Sequence, residues 1–231
     1  AVEGLLNSSN KFRIVVIGGL SCGKSTFINA LLGHRILPTS VMSSTAVVTN
    51  VMYGEKAEYR LYRKGESMSQ RITQEEFFSM NAPKCDDFSF SDIIDHAEVL
   101  YPSSFCKGNI EIIDTPGLGM YTRDRCLEAV GRCLAQANVV IYVSSINDPL
   151  SPYEVQRIKE LGLINQLVSR VDKLLFVCSG KDLLDEEEGD VDGIVDDLSF
   201  RTEKILPGFN SRNRIFLVDS IGGYYCRKQN N

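Results

Sequence analysis

The sequence predicts an α/β fold: a mainly parallel sheet with helices on both faces and an antiparallel hairpin at one edge. Three observations carry this expectation. Apolar runs of strand length recur along the chain, several nearly continuous in Val, Ile and Leu, as buried parallel strands are. Segments with helical spacing lie between them. Two runs, Val47 to Tyr53 and Ala57 to Arg63, are separated only by Gly54-Glu55-Lys56, which reads as the edge hairpin.

The expected strands are Phe12–Ile17, Ala46–Tyr53, Ala57–Arg63, Ile110–Ile113, Val139–Val143, Leu174–Cys178 and Ile215–Val218. A helix over Lys24 to Leu32 puts Phe27, Ile28, Leu31 and Leu32 on one face, with Gly33 placed to end it. Cys126, Leu127, Val130, Cys133 and Leu134 form a second apolar stripe. Ser151-Pro152-Tyr153-Glu154 is a capping box with proline at the first helical position. Val191 to Ile205 forms another helix before Pro207. The stretch from Lys64 to Phe105 mixes polar and short apolar pieces, and is expected as an elaboration between the hairpin and the strand at Ile110.

The chain has 231 residues, 43% of them hydrophobic, which suffices for one large α/β domain or a domain with an appendage. Its formal net charge of −5 argues against non-specific nucleic-acid binding, which needs a basic face. Seven cysteines without a C-x-x-C pair read as free thiols in a reducing compartment. No run approaches a membrane span of about 20 apolar residues. Residues 1–10 lack the features of a signal peptide and read as the tail of a helix cut from something larger.

The chemistry begins with "IGGLSCGKST", Ile17 to Thr26, directly after the first strand. It contains Gly18-x-x-x-x-Gly23-Lys24-Ser25, the signature of a P-loop in a three-layer NTPase fold. The glycines let the chain wrap with its amides inward, and the following helix N-terminus completes an anion nest. Gly18, Leu20, Ser21, Cys22, Gly23, Lys24, Ser25 and Thr26 are therefore the expected contacts to a bound polyphosphate. Lys24 reaches the outer phosphates and Ser25 ligates Mg²⁺. About ninety residues further on, "IEIIDTPGLG" places Asp114 at the end of an apolar strand, where an acid sits beside Mg²⁺ through water. Gly117 offers an amide to the terminal phosphate. In "HRILPTSVMSSTAVVT", Thr45 is the candidate second hydroxyl on the metal.

Base recognition is expected at the end of a late strand, in "LLFVCSGKDLL". Asp182 would accept from a guanine edge. Ser179 and Lys181 stand where Asn or Thr, then Lys, would precede it, with the lysine displaced by one position. "SRVD" at Ser169 to Asp172 precedes its strand and is rejected. Ser220, closing "FLVDS", is placed for a backbone contact to the base. The acidic run Asp185 to Glu188 reads as a solvated loop. His34 and His96 are isolated, zinc spacing is absent, and Cys22 at a helix N-terminus would have a lowered pKa.

"GKSTFINALLGHRILPTSVMSSTAVVT", "YPSSFCKGNIEIIDTPGLG" and "NDPLSPYE" together resemble the GTPase domain of dynamin-like large GTPases, in their bacterial dynamin-like and mitofusin-like branch. The resemblance runs from about Phe12 to Ser220. It implies GTP and GDP as substrate and product with Mg²⁺ as cofactor. It also implies self-association across the nucleotide site, as a homodimer or with a related paralogue, coupled to membrane remodelling by fusion, fission or tethering. Membrane contact would come through segments absent from this chain, giving a cytoplasmic, peripherally membrane-associated protein with no nucleic-acid partner. Residues 1–10 and 223–231 would be stumps of a missing helical bundle flanking a GTPase domain at 11–222. By position, Ser21, Lys24, Thr45 and Gly117 match the family's catalytic residues. One departure stands out: the family places glutamine where this chain has Leu20, which cannot hold a water through its side chain. Slow, dimerisation-stimulated turnover is the expectation. The alternative is a dimerisation module with little or no hydrolysis; an ATP-binding protein is opposed by Asp182.

Overall fold

The computed structural model describes residues 11–39, 47–80, 93–118, 124–160, 162–169, 171–184, 191–209 and 212–229. Strand β1 (Phe12–Gly18) lies inside a nine-stranded sheet ordered β4-β3-β5-β2-β6-β1-β7-β8-β9. Here β2 is Val48–Tyr53, β3 Glu58–Arg63, β4 Ser69–Ile72, β5 Ile94–Tyr101, β6 Ile110–Asp114, β7 Val139–Ser145, β8 Leu174–Ser179 and β9 Ile215–Val218. From β6 to β9 all pairings are parallel. The strand β2 joins β6 antiparallel, and the β5–β3–β4 extension beyond it contains the remaining antiparallel pairs.

The expected hairpin of β2 with β3 does not form. Strand β5 lies between them, parallel to β2 and antiparallel to β3. The edge does carry an antiparallel hairpin, made instead by β3 and β4, joined through residues 64–68. Both β4 and β5 fall in the stretch expected only as an elaboration. In β5 the charged or polar Asp95, His96 and Glu98 interrupt the apolar residues, and only Ile94, Ala97 and Val99 are buried.

Helices cover both faces: α1 (Lys24–Leu32), α2 (Gln74–Met80), α3 (Asp124–Ala135), α4 (Pro152–Glu160), α5 (Leu163–Val168), α6 (Val191–Ile205) and α7 (Ser220–Gln229). Side chains alternate across a strand, so β1 feeds two cores. Val15 and Ile17 pack with Val130, Leu134, Ile158, Leu167 and Leu198 on one face. Ile14 and Val16 pack with Ile28, Leu32, Val51, Tyr59 and Phe77 on the other. Gly33 ends α1 in the left-handed conformation, its amide bonded to the Ala30 and Asn29 carbonyls. Val130 and Leu134 of the second expected stripe are buried; the side chains of Cys126 and Leu127 lie outside the described residues. Half of the capping box forms: the Glu154 amide donates to Ser151 Oγ at 3.1 Å, while the Glu154 carboxylate accepts from Ser144 Oγ instead of the Ser151 amide. Cys22, Cys106, Cys133, Cys178 and Cys226 are free thiols. Among the described residues, no helix is long and apolar enough to cross a membrane.

Candidate functional site

The loop after β1 is shaped by close approach. A side chain at Gly18 would place Cβ 2.0 Å from the Val143 carbonyl oxygen, so the loop can pass over β7 only as bare backbone. Gly23 takes a φ of 91° and opens α1 with no side-chain cap. The first amides of α1 therefore have no side-chain acceptor at the cap position, which is the arrangement that receives anions.

Lys24 is only 6% exposed. Its Nζ donates to the Gly19 carbonyl at 2.6 Å and to Gly18 at 3.4 Å, and among the described residues it forms no ion pair. A buried ammonium held only by carbonyl dipoles at hydrogen-bond distance is one that a bound anion would stabilise. Ser25 Oγ donates to Asp114 Oδ2 at 2.7 Å, which brings together two side chains 89 positions apart. Beyond Asp114 the chain folds back over the loop. Thr115 Oγ1 donates to the Val16 carbonyl at 2.8 Å, and the Leu118 amide donates to the Gly18 carbonyl at 3.0 Å. At Gly117 a Cβ would lie 3.2 Å from Lys24 Nζ. Lys24, Ser25, Asp114 and Gly117 thus share one small volume, with Ser21 at a left-handed φ of 54° in the same loop. Thr45 lies outside the described residues.

The donors near Ser25 fit Mg²⁺ in kind: a hydroxyl and a carboxylate are hard oxygen ligands. Among the described residues no group of His, Cys, Asp and Glu is arranged to hold a metal by itself.

At the other end of the site, β8 finishes at Ser179, whose hydroxyl donates to the Cys22 carbonyl at 2.6 Å. The segment expected to read the base is thus tied to the phosphate loop. Lys181 to Leu183 form one turn of 3₁₀ helix after Gly180, and Lys181 and Asp182 are exposed. The Gly180 amide donates to the Val218 carbonyl at 3.1 Å, which brings the end of β9 alongside. Ser220 is buried at the start of α7, and its hydroxyl has no hydrogen-bond partner among the described residues. Thr26 sits in the first turn of α1. Leu20 projects from the loop, 52% exposed.

One expectation is overturned. Burial pushes the Cys22 thiol up, against the lowering pull of Lys24 and of the Lys24 amide, so this cysteine is not activated. Two polar groups beside the site were not foreseen from the sequence. Asn29, buried on α1, accepts from the Ile36 and Leu37 amides at 3.0 Å each and donates to the Leu37 carbonyl at 2.8 Å. It fixes the path of the chain leaving α1. Glu154, read only as a cap, turns its carboxylate under the loop, where Oε2 accepts from Ser144 Oγ at 3.0 Å. An Asn inside an apolar helical stripe is the one signal in the sequence that marks the first.

A profile described as the dynamin family matches residues 14–178. A bacterial dynamin-like protein from Nostoc punctiforme is 33% identical over 116 residues, covering 46% of this chain and 17% of its own length. Dynamin-like protein 1 of Campylobacter jejuni is 25% identical over 211 residues, covering 77% of this chain and 28% of its own. The chain therefore spans well under half the length of these relatives. Two solved structures of an oligomerised bacterial dynamin pair, described as a mechanism for long-range sensing and tethering of membranes, superpose with TM-scores of 0.68 and 0.69. Both are 20% identical and cover 96% of this chain, against 35% and 41% of their own. The matched residues run from β1 through the phosphate loop and Asp114 to the end of β8, and the chain belongs to the dynamin family, with the fold of its GTPase domain.

Proposed function

We propose that this domain binds GTP with Mg²⁺ and hydrolyses it to GDP and phosphate, and that binding drives two copies together across the nucleotide site. The observation that carries the proposal is the buried Lys24 ammonium, held by backbone carbonyls, next to the Ser25–Asp114 hydroxyl–carboxylate pair. In this reading the loop amides and Lys24 hold the β- and γ-phosphates, and Ser25 and Asp114 hold the metal, Asp114 through water. A magnesium ion held there would neutralise charge on the phosphate oxygens. A water oxygen forms the new bond to the γ-phosphorus as the bond to the β–γ bridging oxygen breaks; the proton ends on the released phosphate. Lys24 and the Gly117 amide stabilise the charge that develops in that step. Thr45 positions the water, Ser21 offsets charge between the phosphates, and Asp182 selects guanine with Ser179, Lys181 and Ser220 around the base.

Turnover by one copy is slow in this reading. Leu20 occupies the position from which a side chain would hold the bridging water, and it is exposed and apolar. A partner copy that covers Leu20 would dry the site and raise the rate. The same residue favours a second reading, in which the domain dimerises on nucleotide and scarcely hydrolyses. In a protein of its relatives' length, assembly of this kind would act on a membrane, as the bacterial dynamin pair does in tethering.

Titrating GTP, ATP and a non-hydrolysable GTP analogue, while recording phosphate release and oligomer mass, tests these points together. The expected result is a mass increase with GTP or the analogue but not ATP, and a rate per copy that rises with protein concentration. Concentration-independent turnover would contradict the dimer coupling. A mass increase without phosphate release would select the second reading.

A further inference from the structure

Beneath the phosphate loop lies a carboxylate that the proposed reaction does not use. Glu154, in the first turn of α4, is 9% exposed. Its Oε1 occupies the space where a side chain at Gly19 would begin, 2.0 Å from the position of that Cβ. Oε2 accepts from Ser144 Oγ at 3.0 Å, and Ser144 Oγ in turn accepts from the Leu150 amide at 3.1 Å. The Ser144 carbonyl lies 3.4 Å from Ser179 Oγ, the hydroxyl that also holds the Cys22 carbonyl. The carboxylate is thus locked in place against the underside of Gly19, whose carbonyl receives the Lys24 ammonium.

A cap alone does not call for this placement, since a helix cap satisfies its amides at the surface. A negative charge here attracts the Lys24 ammonium and repels any anion seated on the other side of the loop. Resting on the nucleotide reading above, we infer that Glu154 is a positioning residue which acts through Lys24: it holds the ammonium against the empty loop and opposes the phosphates for it, so that it limits nucleotide affinity and speeds product release.

Burial pushes the Glu154 carboxyl up, while the Ser144 hydroxyl and Lys24 pull it down and Asp148 raises it. The titratable groups facing it are Lys24 and Cys22 from the loop and α1, Asp148 after β7, Tyr142 on β7 and Cys178 on β8. Bound phosphate favours its neutral form. The affinity of the wild type therefore gains an extra increase as pH falls through the Glu154 pKa.

The test is calorimetric titration of the full chain with Mg²⁺–GDP and Mg²⁺–GTP across the pH range in which the protein stays folded, for wild type and Glu154→Gln. The glutamine keeps the shape and removes the charge. The expected result is about tenfold tighter GDP binding at the upper pH, slower GDP release, and loss of the extra pH dependence. A purely structural role would loosen binding instead, so the sign of the change decides. Ser144→Ala, which removes the hydrogen bond favouring the charged form, should shift affinity the same way by a smaller factor, and it provides the comparison should the glutamine variant fail to fold. Unchanged or weaker binding in the folded variants, with wild type binding normally, overturns the role of Glu154 alone. Wild type that binds neither nucleotide overturns the nucleotide reading and this inference with it.

Discussion

Lys24 is the residue on which site and stability pull apart. Its ammonium is out of water and bonded to backbone carbonyls, an arrangement that costs the free protein desolvation energy. Lys24→Met should therefore leave the melting temperature of the free protein unchanged or raised. The same change should weaken Mg²⁺–GTP binding by about 100-fold or more, because it deletes a charge-assisted hydrogen bond to phosphate from a buried site. Paired thermal and calorimetric measurements check both halves. Glu154 gives a pH signature. Its carboxyl titrates higher folded than unfolded, so its contribution to stability is present below the ordinary Glu value and is lost as pH rises through the folded value. The stability difference between Glu154→Gln and wild type should move in the variant's favour as pH rises above the ordinary Glu value. Cysteine labelling checks burial: exposed Cys226 should react with iodoacetamide first, while Cys22 and Cys178, the latter pushed up to about 12, react only on unfolding. The clustering of Lys24, Ser25, Asp114 and Gly117 was legible at this scale because glycines, a lysine and a hydroxyl at fixed spacing leave few other uses. Glu154 was not, because its capping role explains its position in sequence while its carboxylate turns inward.

At the scale of elements, the parallel strands and α1 could be read from apolar continuity and from Gly33 as a stop. The antiparallel extension could not. Neighbours in sequence, β2 and β3, are separated in space by β5, and the short turn at Gly54 joins strands that do not pair. The amide of Gly54 instead donates to the Tyr101 carbonyl at 3.1 Å, at the end of β5. Local turn chemistry reports a change of direction, and says nothing about a strand arriving about forty residues later. The crossing of the phosphate loop over β7 predicts its own cost. Gly18→Ala would drive Cβ into the Val143 carbonyl and should lower stability by about 1–3 kcal/mol or more by urea denaturation, with an unchanged slope. Leu134→Ala on α3, buried on the opposite face from α1, should cost about 2–5 kcal/mol while leaving nucleotide affinity intact in the folded fraction.

For the whole molecule, one sheet separates two apolar cores, and the site forms where the C-terminal ends of β1, β6, β7 and β8 meet the N-terminus of α1. That is where open parallel sheets place ligands, at the reversal of strand order beside β1. Two hydrogen bonds there join residues that are far apart in sequence: Ser25 to Asp114 and Ser179 to Cys22. A ligand that bridges them stabilises the folded state by mass action. The central claim is that the loop around Lys24 grips a guanine nucleotide with magnesium. Isothermal calorimetry of the full chain with Mg²⁺–GTP tests it most directly. The expected result is saturable binding near one nucleotide per chain that Lys24→Met abolishes; no heat with Mg²⁺–GTP, or equal heat in the variant, would contradict it.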